Sequence, residues 1–190
     1  MALSDVQAVF FTADTNAADV ASVSANERPN TSFTIGGTDT SGGVATFSAG
    51  RIITCTTTGT GDSGKTVTIT GTDVNGDAQT EVITLPGSAT TTAGTKYFRT
   101  VTAAEASTQP AANVSIGMSG AAGDVIFAGR SRLKGVFTVN SATAGVVNFT
   151  NASPAGTALM KLGTVASATV SRDVTVPDEG VVFSDGVYIQ

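Results

Sequence analysis

The chain has 190 residues and a net formal charge of −5, and it contains no histidine, no tryptophan and a single cysteine, Cys55. Without histidine, Ser-His-Asp and Cys-His catalysis are excluded, and one cysteine excludes an internal disulfide framework or a cysteine-based zinc site. The acidic balance argues against a nucleic-acid partner, because phosphate binding needs clustered lysine and arginine. We therefore predict no cofactor and no metal.

Residues 1–29 are predicted to form an extended N-terminal arm. The segment has weak periodicity, but Phe10 and Phe11 are costly to expose to water. Two outcomes are open, a frayed terminus or an arm ordered against a neighbouring subunit, and the aromatic pair favours the second. The first eleven residues contain Asp5 and no basic residue, which is not typical of a signal peptide. No apolar run approaches the roughly 20 residues that span a bilayer, so we expect synthesis in the cytoplasm and no membrane partner.

Residues 30–123 show the pattern of an antiparallel β-sandwich. Residues 65–70 alternate polar and apolar side chains with period two, which is typical of a half-buried strand, and residues 80–85 are predicted to return as its partner strand. Between them, Asn75 and Gly76 supply the chemistry of a tight turn. Short strands at this spacing, separated by glycine, asparagine and aspartate, are typical of a sandwich. Strands are predicted over residues 32–35, 51–57, 65–70, 80–85, 96–101 and 113–118.

Residues 124–190 are predicted to form a second, small β domain after a linker of small residues at 119–123. About 66 residues bury too little apolar surface to be very stable alone. We therefore expect this domain to pack on the first domain or on copies of itself. Strands are predicted over residues 133–140, 146–150, 158–162, 168–176 and 187–189.

Residues 59–66, GTGDSGKT, match the phosphate-binding loop G-x-x-x-x-G-K-[ST]. That loop functions only between a strand and a helix whose N-terminus points at the phosphates. Residues 66–72 are β-branched, alternate in polarity and contain glycine, so they are unsuited to a helix. The sequence therefore predicts the loop of a hairpin, and nucleotide binding is the disfavoured alternative.

Acidic residues suggest two further kinds of site. Asp73, Asn75 and Asp77 resemble the start of a calcium loop, but Thr84 stands where such a loop has its bidentate glutamate. Asp62 and Glu81 could lie near Asp73 and Asp77, and paired carboxylates can catalyse glycoside hydrolysis. Nothing nearby indicates an apolar pocket that would raise the pKa of one of them. We predict turns and no catalytic residues, so the protein is not expected to be an enzyme.

Arg130, Arg132 and Lys134 form the one dense basic cluster. Nucleic-acid binding would need more basic residues and aromatic neighbours. Two alternatives remain, an ion pair with an acidic neighbour or a solvated strand edge. These three residues, with Phe10 and Phe11, are the candidate interface residues, and Cys55 is predicted to be a small core residue.

Residues 53–64, 67–76, 80–87 and 97–101 resemble a β-sandwich module of virion proteins from tailed bacteriophages. Residues 133–137 through 177–189 are similar to small β domains from the same genomes. The resemblance implies a non-enzymatic structural protein, and we expect a head decoration (cement) protein that binds the major capsid protein or other virion proteins. We expect it to form a homo-oligomer, with a trimer favoured, and to reside in the virion. A tail or vertex component that contacts the host surface is the alternative, followed by a bacterial adhesin module.

Overall fold

The computed structural model describes residues 17–120, 124–140, 143–153, 156–166 and 170–190. Every regular element in these ranges is a β-strand, and neighbouring strands pair antiparallel. The predicted all-β fold is therefore confirmed. A helix with the length and apolar character to cross a membrane does not occur among the described residues. The described residues form two compact units, a first unit up to residue 120 and a second unit from residue 124 to residue 190.

The first unit contains seven strands: β1 (Asp19–Glu27), β2 (Thr40–Ser41), β3 (Val44–Thr57), β4 (Thr66–Thr72), β5 (Ala78–Thr84), β6 (Thr91–Ala106) and β7 (Val114–Met118). They form one sheet in the order β1-β7-β3-β6-β4-β5, with β2 also paired to β3. Five of the six strands predicted in this region correspond to β3–β7. The exception is residues 32–35, where the structure has only an isolated bridge between Ser32 and Glu105.

Strands β3 and β6 are long enough to take part in both layers of the sandwich. The second half of β3 pairs with β7, and the second half of β6 pairs with β4. Where β3 and β6 pair with each other, the register shifts between Thr46 and Arg51 and again between Ile52 and Thr54. Such irregularities bend strands. The layer β1-β7-β3-β6 therefore folds over the layer β3-β6-β4-β5.

One apolar core lies between the two layers. It includes Ile53 and Cys55 of β3, Val67 and Ile69 of β4, and Ile116 of β7, all buried. In β4 the threonines that alternate with Val67 and Ile69 are half-buried on the opposite face. The period-two pattern in the sequence therefore identifies the inward face of this strand correctly.

The predicted arm, residues 1–29, is wrong in its second half. Strand β1 occupies Asp19–Glu27 and pairs with β7, so this part of the segment belongs to the first sheet. The outer edge of β1 is covered by residues 36–39, because the amides of Gly36 and Gly37 donate to the Val23 carbonyl at 3.1 and 3.0 Å. Phe10 and Phe11 lie outside the described residues, so their predicted role stays a prediction.

The strands of the second unit are β8 (Asp124–Ala128), β9 (Ser131–Leu133), β10 (Gly135–Asn140), β11 (Gly145–Asn151), β12 (Ala158–Thr164), β13 (Val170–Thr175), β14 (Val181–Phe183) and β15 (Gly186–Ile189). They form a four-stranded sheet, β12-β11-β15-β8, and two pairs of strands, β10-β13 and β14-β9. The sequence predicted most of these strands but missed β8 and β14, and it merged β9 with β10.

The two strand pairs form one interrupted two-stranded structure, which we call the ribbon: residues 131–140 on one side and residues 170–183 on the other. Only Lys134 separates β9 from β10. On the opposite side, residues 176–180 separate β13 from β14, and the Val176 amide still donates to the Lys134 carbonyl at 2.9 Å. Residues 177–180 are therefore a loop that leaves the ribbon and returns to it.

The core of the second unit is small. Phe149, Leu162, Phe183 and Val187 are buried in it, and Val136 is one of the partly buried residues packed against them. Five of the seven large apolar side chains that are exposed in the described part of the chain belong to this unit. They are Phe137, Val139, Val146, Leu159 and Val182.

The burial of Cys55 gives a testable prediction. Desolvation, with a smaller contribution from the charge of Glu81, raises the pKa of its thiol to about 12. Because the thiolate is the nucleophile, the native protein should not react with a thiol reagent at pH 8. We expect one equivalent to react only after denaturation, as measured by mass spectrometry. Rapid labelling of the folded protein would contradict the position of Cys55 in the core.

Candidate functional site

The loop that matches the phosphate-binding pattern joins β3 to β4. The strand predicted after Lys65 is confirmed, because Thr66–Thr72 is β4. No helix N-terminus therefore follows Lys65. The predicted hairpin is wrong, since β6 lies between β3 and β4 in the sheet. The loop is instead a connection across one end of the sandwich.

Asp62 organises this end of the unit. Its carboxylate is fully buried and accepts hydrogen bonds from the amides of Ala111 and Ala112, at 2.5 and 3.1 Å. Lys65 Nζ lies 3.1 Å from Asp62 Oδ1 and donates to the Gln109 carbonyl at 2.9 Å. We call Asp62, Lys65 and the backbone of residues 109–112 the clasp. It joins the β3–β4 loop to the segment that precedes β7.

Glycine permits the close approach of these two segments. Gly61 has a φ of +94°, a conformation that side chains with a Cβ rarely adopt. A Cβ at Gly59 would lie 3.0 Å from the Cβ of Ala112. The glycines of the motif therefore shape the loop around Asp62, and the lysine neutralises the buried carboxylate.

The ionisation of Asp62 depends on the clasp. Burial alone would raise the pKa of this carboxyl, but the amides of Ala111 and Ala112 and the ammonium of Lys65 together hold the pKa below its ordinary value of 3.8. A carboxylate that accepts several hydrogen bonds is favoured in its charged form. Asp62 is therefore a structural anion and is not arranged as a general acid.

Glu81 on β5 has a similar structural role on the open side of the sandwich. Its Oε1 accepts hydrogen bonds from the amides of Thr95 and Lys96, at 2.6 and 3.2 Å. In return Lys96 Nζ donates to the Thr80 carbonyl at 2.7 Å. A Cβ at Gly94 would lie 2.3 Å from Glu81 Oε2, so a larger residue there would force the carboxylate to shift. Side chains thus connect β5 to the first half of β6.

The predicted calcium loop is a turn closed by its own hydrogen bonds. Asp73 Oδ1 accepts from the amides of Asn75 and Asp77, at 2.8 and 3.0 Å, which is an Asx turn. Asp62 and Asp73 lie at opposite ends of β4, about 20 Å apart at the rise of a strand. The structure therefore does not bring the four carboxylates together. No group of three or more metal-ligating acidic or cysteine side chains occurs among the described residues.

The basic cluster is partly engaged within the second unit. Arg132 forms an ion pair with Glu179 and also donates to the Glu179 carbonyl at 3.2 Å. Lys134 Nζ donates to the Asp178 carbonyl at 3.0 Å. Both side chains hold the loop at 177–180 against the ribbon, whereas Arg130 is exposed beside it.

The sequence-based interpretation missed the exposed apolar side chains of the ribbon. Val136 faces the small core, while Phe137 and Val139 on the same strand are exposed. The signal was present in the sequence, because apolar residues at 136, 137 and 139 supply both faces of a strand. A strand with one buried face needs only every second position to be apolar.

Comparison of the chain with protein-family models, with curated proteins and with solved structures finds no match in any of the three. The functional interpretation therefore depends on the residues themselves. Within the described ranges, the ionisable side chains of the first unit mostly bind backbone groups, and the exposed apolar groups gather in the second unit.

The clasp predicts how stability depends on pH. Because the pKa of Asp62 is lower in the folded chain, its contribution is present above pH 4 and is lost as the pH falls through the folded pKa. We expect Asp62→Asn to lower the free energy of unfolding by about 2–4 kcal/mol at pH 7, with a difference that shrinks below about pH 4.

Urea unfolding of the two proteins from pH 3 to pH 7 measures this effect. The matched control is Asp77→Asn, which changes an exposed carboxylate and should alter stability by no more than about 0.5 kcal/mol. A loss for Asp62→Asn that is small, or equal at every pH, would contradict the proposed role of the clasp.

Proposed function

We propose that the protein is a structural component of a tailed-bacteriophage particle and, more specifically, a head decoration protein that binds the assembled capsid shell. The resemblance of residues 53–101 and 133–189 to virion β modules supports this proposal. So does the all-β architecture in two small units, which offers surfaces for contact. The proposed partners are the major capsid protein and further copies of this chain, and the proposed location is the virion.

The observation that carries the proposal is that polar groups form hydrogen bonds within the fold, whereas large apolar side chains remain exposed. Asp62, Asp73 and Glu81 accept hydrogen bonds from backbone amides, so the groups best suited to chemistry stabilise the fold. In the second unit, Phe137 and Val139 remain exposed although the adjacent core is small. This arrangement supports a protein that acts by contact and does not transform a substrate.

Stabilisation by mass action is the proposed mechanism. A protein that binds only the assembled shell raises the free energy of disassembly at each occupied site. At a free concentration 100 times the Kd, this amounts to about 2.7 kcal/mol per site. In the proposed particle, the candidate interface residues Phe10 and Phe11 contact a neighbouring subunit, and Arg130 supplies an exposed positive charge.

Particle stability tests the proposal. Particles that lack this protein should release their DNA at a lower temperature and after milder osmotic shock than complete particles. The reason is that no bound protein raises the free energy of their disassembly. Purified protein added back should restore both properties, and a Val82→Ser variant, altered at an exposed site of the first unit, should restore them equally. Equal resistance of deficient and complete particles would contradict cementing.

Copy number separates the two virion roles. A decoration protein should be present in hundreds of copies per particle, whereas a tail or vertex component should be present in about a dozen or fewer, since closed symmetric assemblies of that kind are small. Quantitative gel analysis of whole particles measures this number. A value of a dozen or fewer would replace decoration by the tail or vertex alternative.

Nucleotide binding gives a further test. With β4 after Lys65 and with the Lys65 ammonium engaged by Asp62 and Gln109, we expect no saturable binding of labelled ATP and Mg²⁺ by equilibrium dialysis. The Lys65→Ala variant is the control and should show the same background. Saturable binding that is lost in Lys65→Ala would contradict a purely structural role for the loop.

A further inference from the structure

The ribbon of the second unit has an apolar side that its own core does not cover. Phe137 is 69% exposed and Val139 is 65% exposed, on the side of β10 opposite Val136. On β14, Val182 is 36% exposed, and its neighbours Val181 and Phe183 belong to the core. We call Phe137, Val139, Val182 and the residues paired with them the outer side of the ribbon.

A surface of this kind is unfavourable in an isolated unit. Large exposed apolar groups that lie together mark sites of association in soluble proteins. In addition, β10 pairs only with β13 among the described strands. A two-stranded ribbon is marginally stable by itself, and its unpaired edge favours pairing with another chain. A second surface that covers the ribbon would bury its exposed apolar side chains and provide partners for its unpaired edge.

The charges along the outer side make it complementary to itself. Asp173 is the cross-strand neighbour of Phe137; it is exposed and forms no ion pair with a described residue. At the other end, Arg132 is the cross-strand neighbour of Val182, and Arg130 is exposed just before β9. Because Arg132 is already paired with Glu179, Arg130 and Asp173 are the opposite charges of the outer side that form no ion pair among the described residues, and they lie on its two halves.

We propose that the outer side of the ribbon packs against the ribbon of a second copy of this chain, with Arg130 of one copy beside Asp173 of the other. This inference rests on the proposed function, because it identifies the surface through which copies of the chain would contact each other in the proposed homo-oligomer.

Ten residues of strand extend about 33 Å, and two strands are about 10 Å wide, so the ribbon offers a smaller area than the ~800 Å² per partner of a standard interface.

The small area predicts the strength of the contact. Copies in dilute solution should associate weakly and reversibly. On a shell, where neighbouring sites hold the copies close together, a high effective concentration should strengthen the same contact. The contact would thus form mainly between copies that are already bound to the particle.

Light scattering coupled to size-exclusion chromatography tests the inference on the full chain. We expect the mass of the wild type to rise with concentration up to about 1 mM, the range of weak interfaces. The double variant Phe137→Ser/Val139→Ser should remain monomeric, and it should fold because both side chains are exposed. Val82→Ser, which alters a similarly exposed valine of the first unit, is the matched control and should associate like the wild type.

Charge exchange tests the orientation. Arg130→Asp and Asp173→Arg should each weaken association at least about fivefold at low salt, and the double variant should recover it, since opposite charges across an interface favour binding.

Three results would overturn the inference: a wild type that stays monomeric at every concentration, association that is unchanged in Phe137→Ser/Val139→Ser, and association that is lost only when residues 1–16 are deleted. The last result would assign the contact to the N-terminal segment. None of these results decides the proposed function, because binding of the monomer to particles is measured separately. Failure to bind particles, with concentration-dependent association intact, would reject the proposed function and leave the ribbon contact standing.

Discussion

The first unit depends on two strands that belong to both of its layers. Because β3 and β6 continue from one layer into the other, the layers cannot separate without breaking the pairing of these strands along their length. The register shifts that bend them are therefore part of the architecture. They bring Ile53 and Cys55 in one layer against Val67 and Ile69 in the other, and burial of apolar side chains between the layers supplies the main stabilising energy.

A sandwich made from one bent sheet has two open sides, and this unit closes them differently. On one side, residues 36–39 add backbone hydrogen bonds to the outer edge of β1. On the other, Glu81 and Lys96 satisfy backbone groups of β6 and β5 through their side chains. Buried or edge backbone groups need partners, and Glu81 and Lys96 are ionisable residues that serve this purpose. The scarcity of charge in the sequence and its structural use are consistent with each other.

The sequence was a good guide where a strand has one buried face and an adjacent partner. Residues 65–70 show this, since their period two and the following Asn-Gly turn determine a hairpin locally. It was a poor guide for β1, where Ser22, Val23 and Ser24 are buried and a neighbouring segment of backbone comes close; a Cβ on Gly37 would lie 2.1 Å from the Ala21 carbonyl oxygen. The role of Asp62 was equally inaccessible, because its partners Ala111 and Ala112 lie about 50 positions away in the chain. The phosphate-binding pattern drew attention to residues 59–66, but this loop is important because it contains the buried Asp62, which the pattern does not indicate.

The pairing of β1 with β7 has a consequence for biosynthesis. These strands lie at opposite ends of the first unit in the sequence. During synthesis, β1 therefore cannot pair with β7 until Val114–Met118 has left the exit tunnel of the ribosome. Contacts so distant in the chain close slowly, since loop entropy is lost before they form. The second unit follows β7 directly and has its own core. Translation speed between residues 30 and 118 should therefore govern how much newly made chain matures correctly.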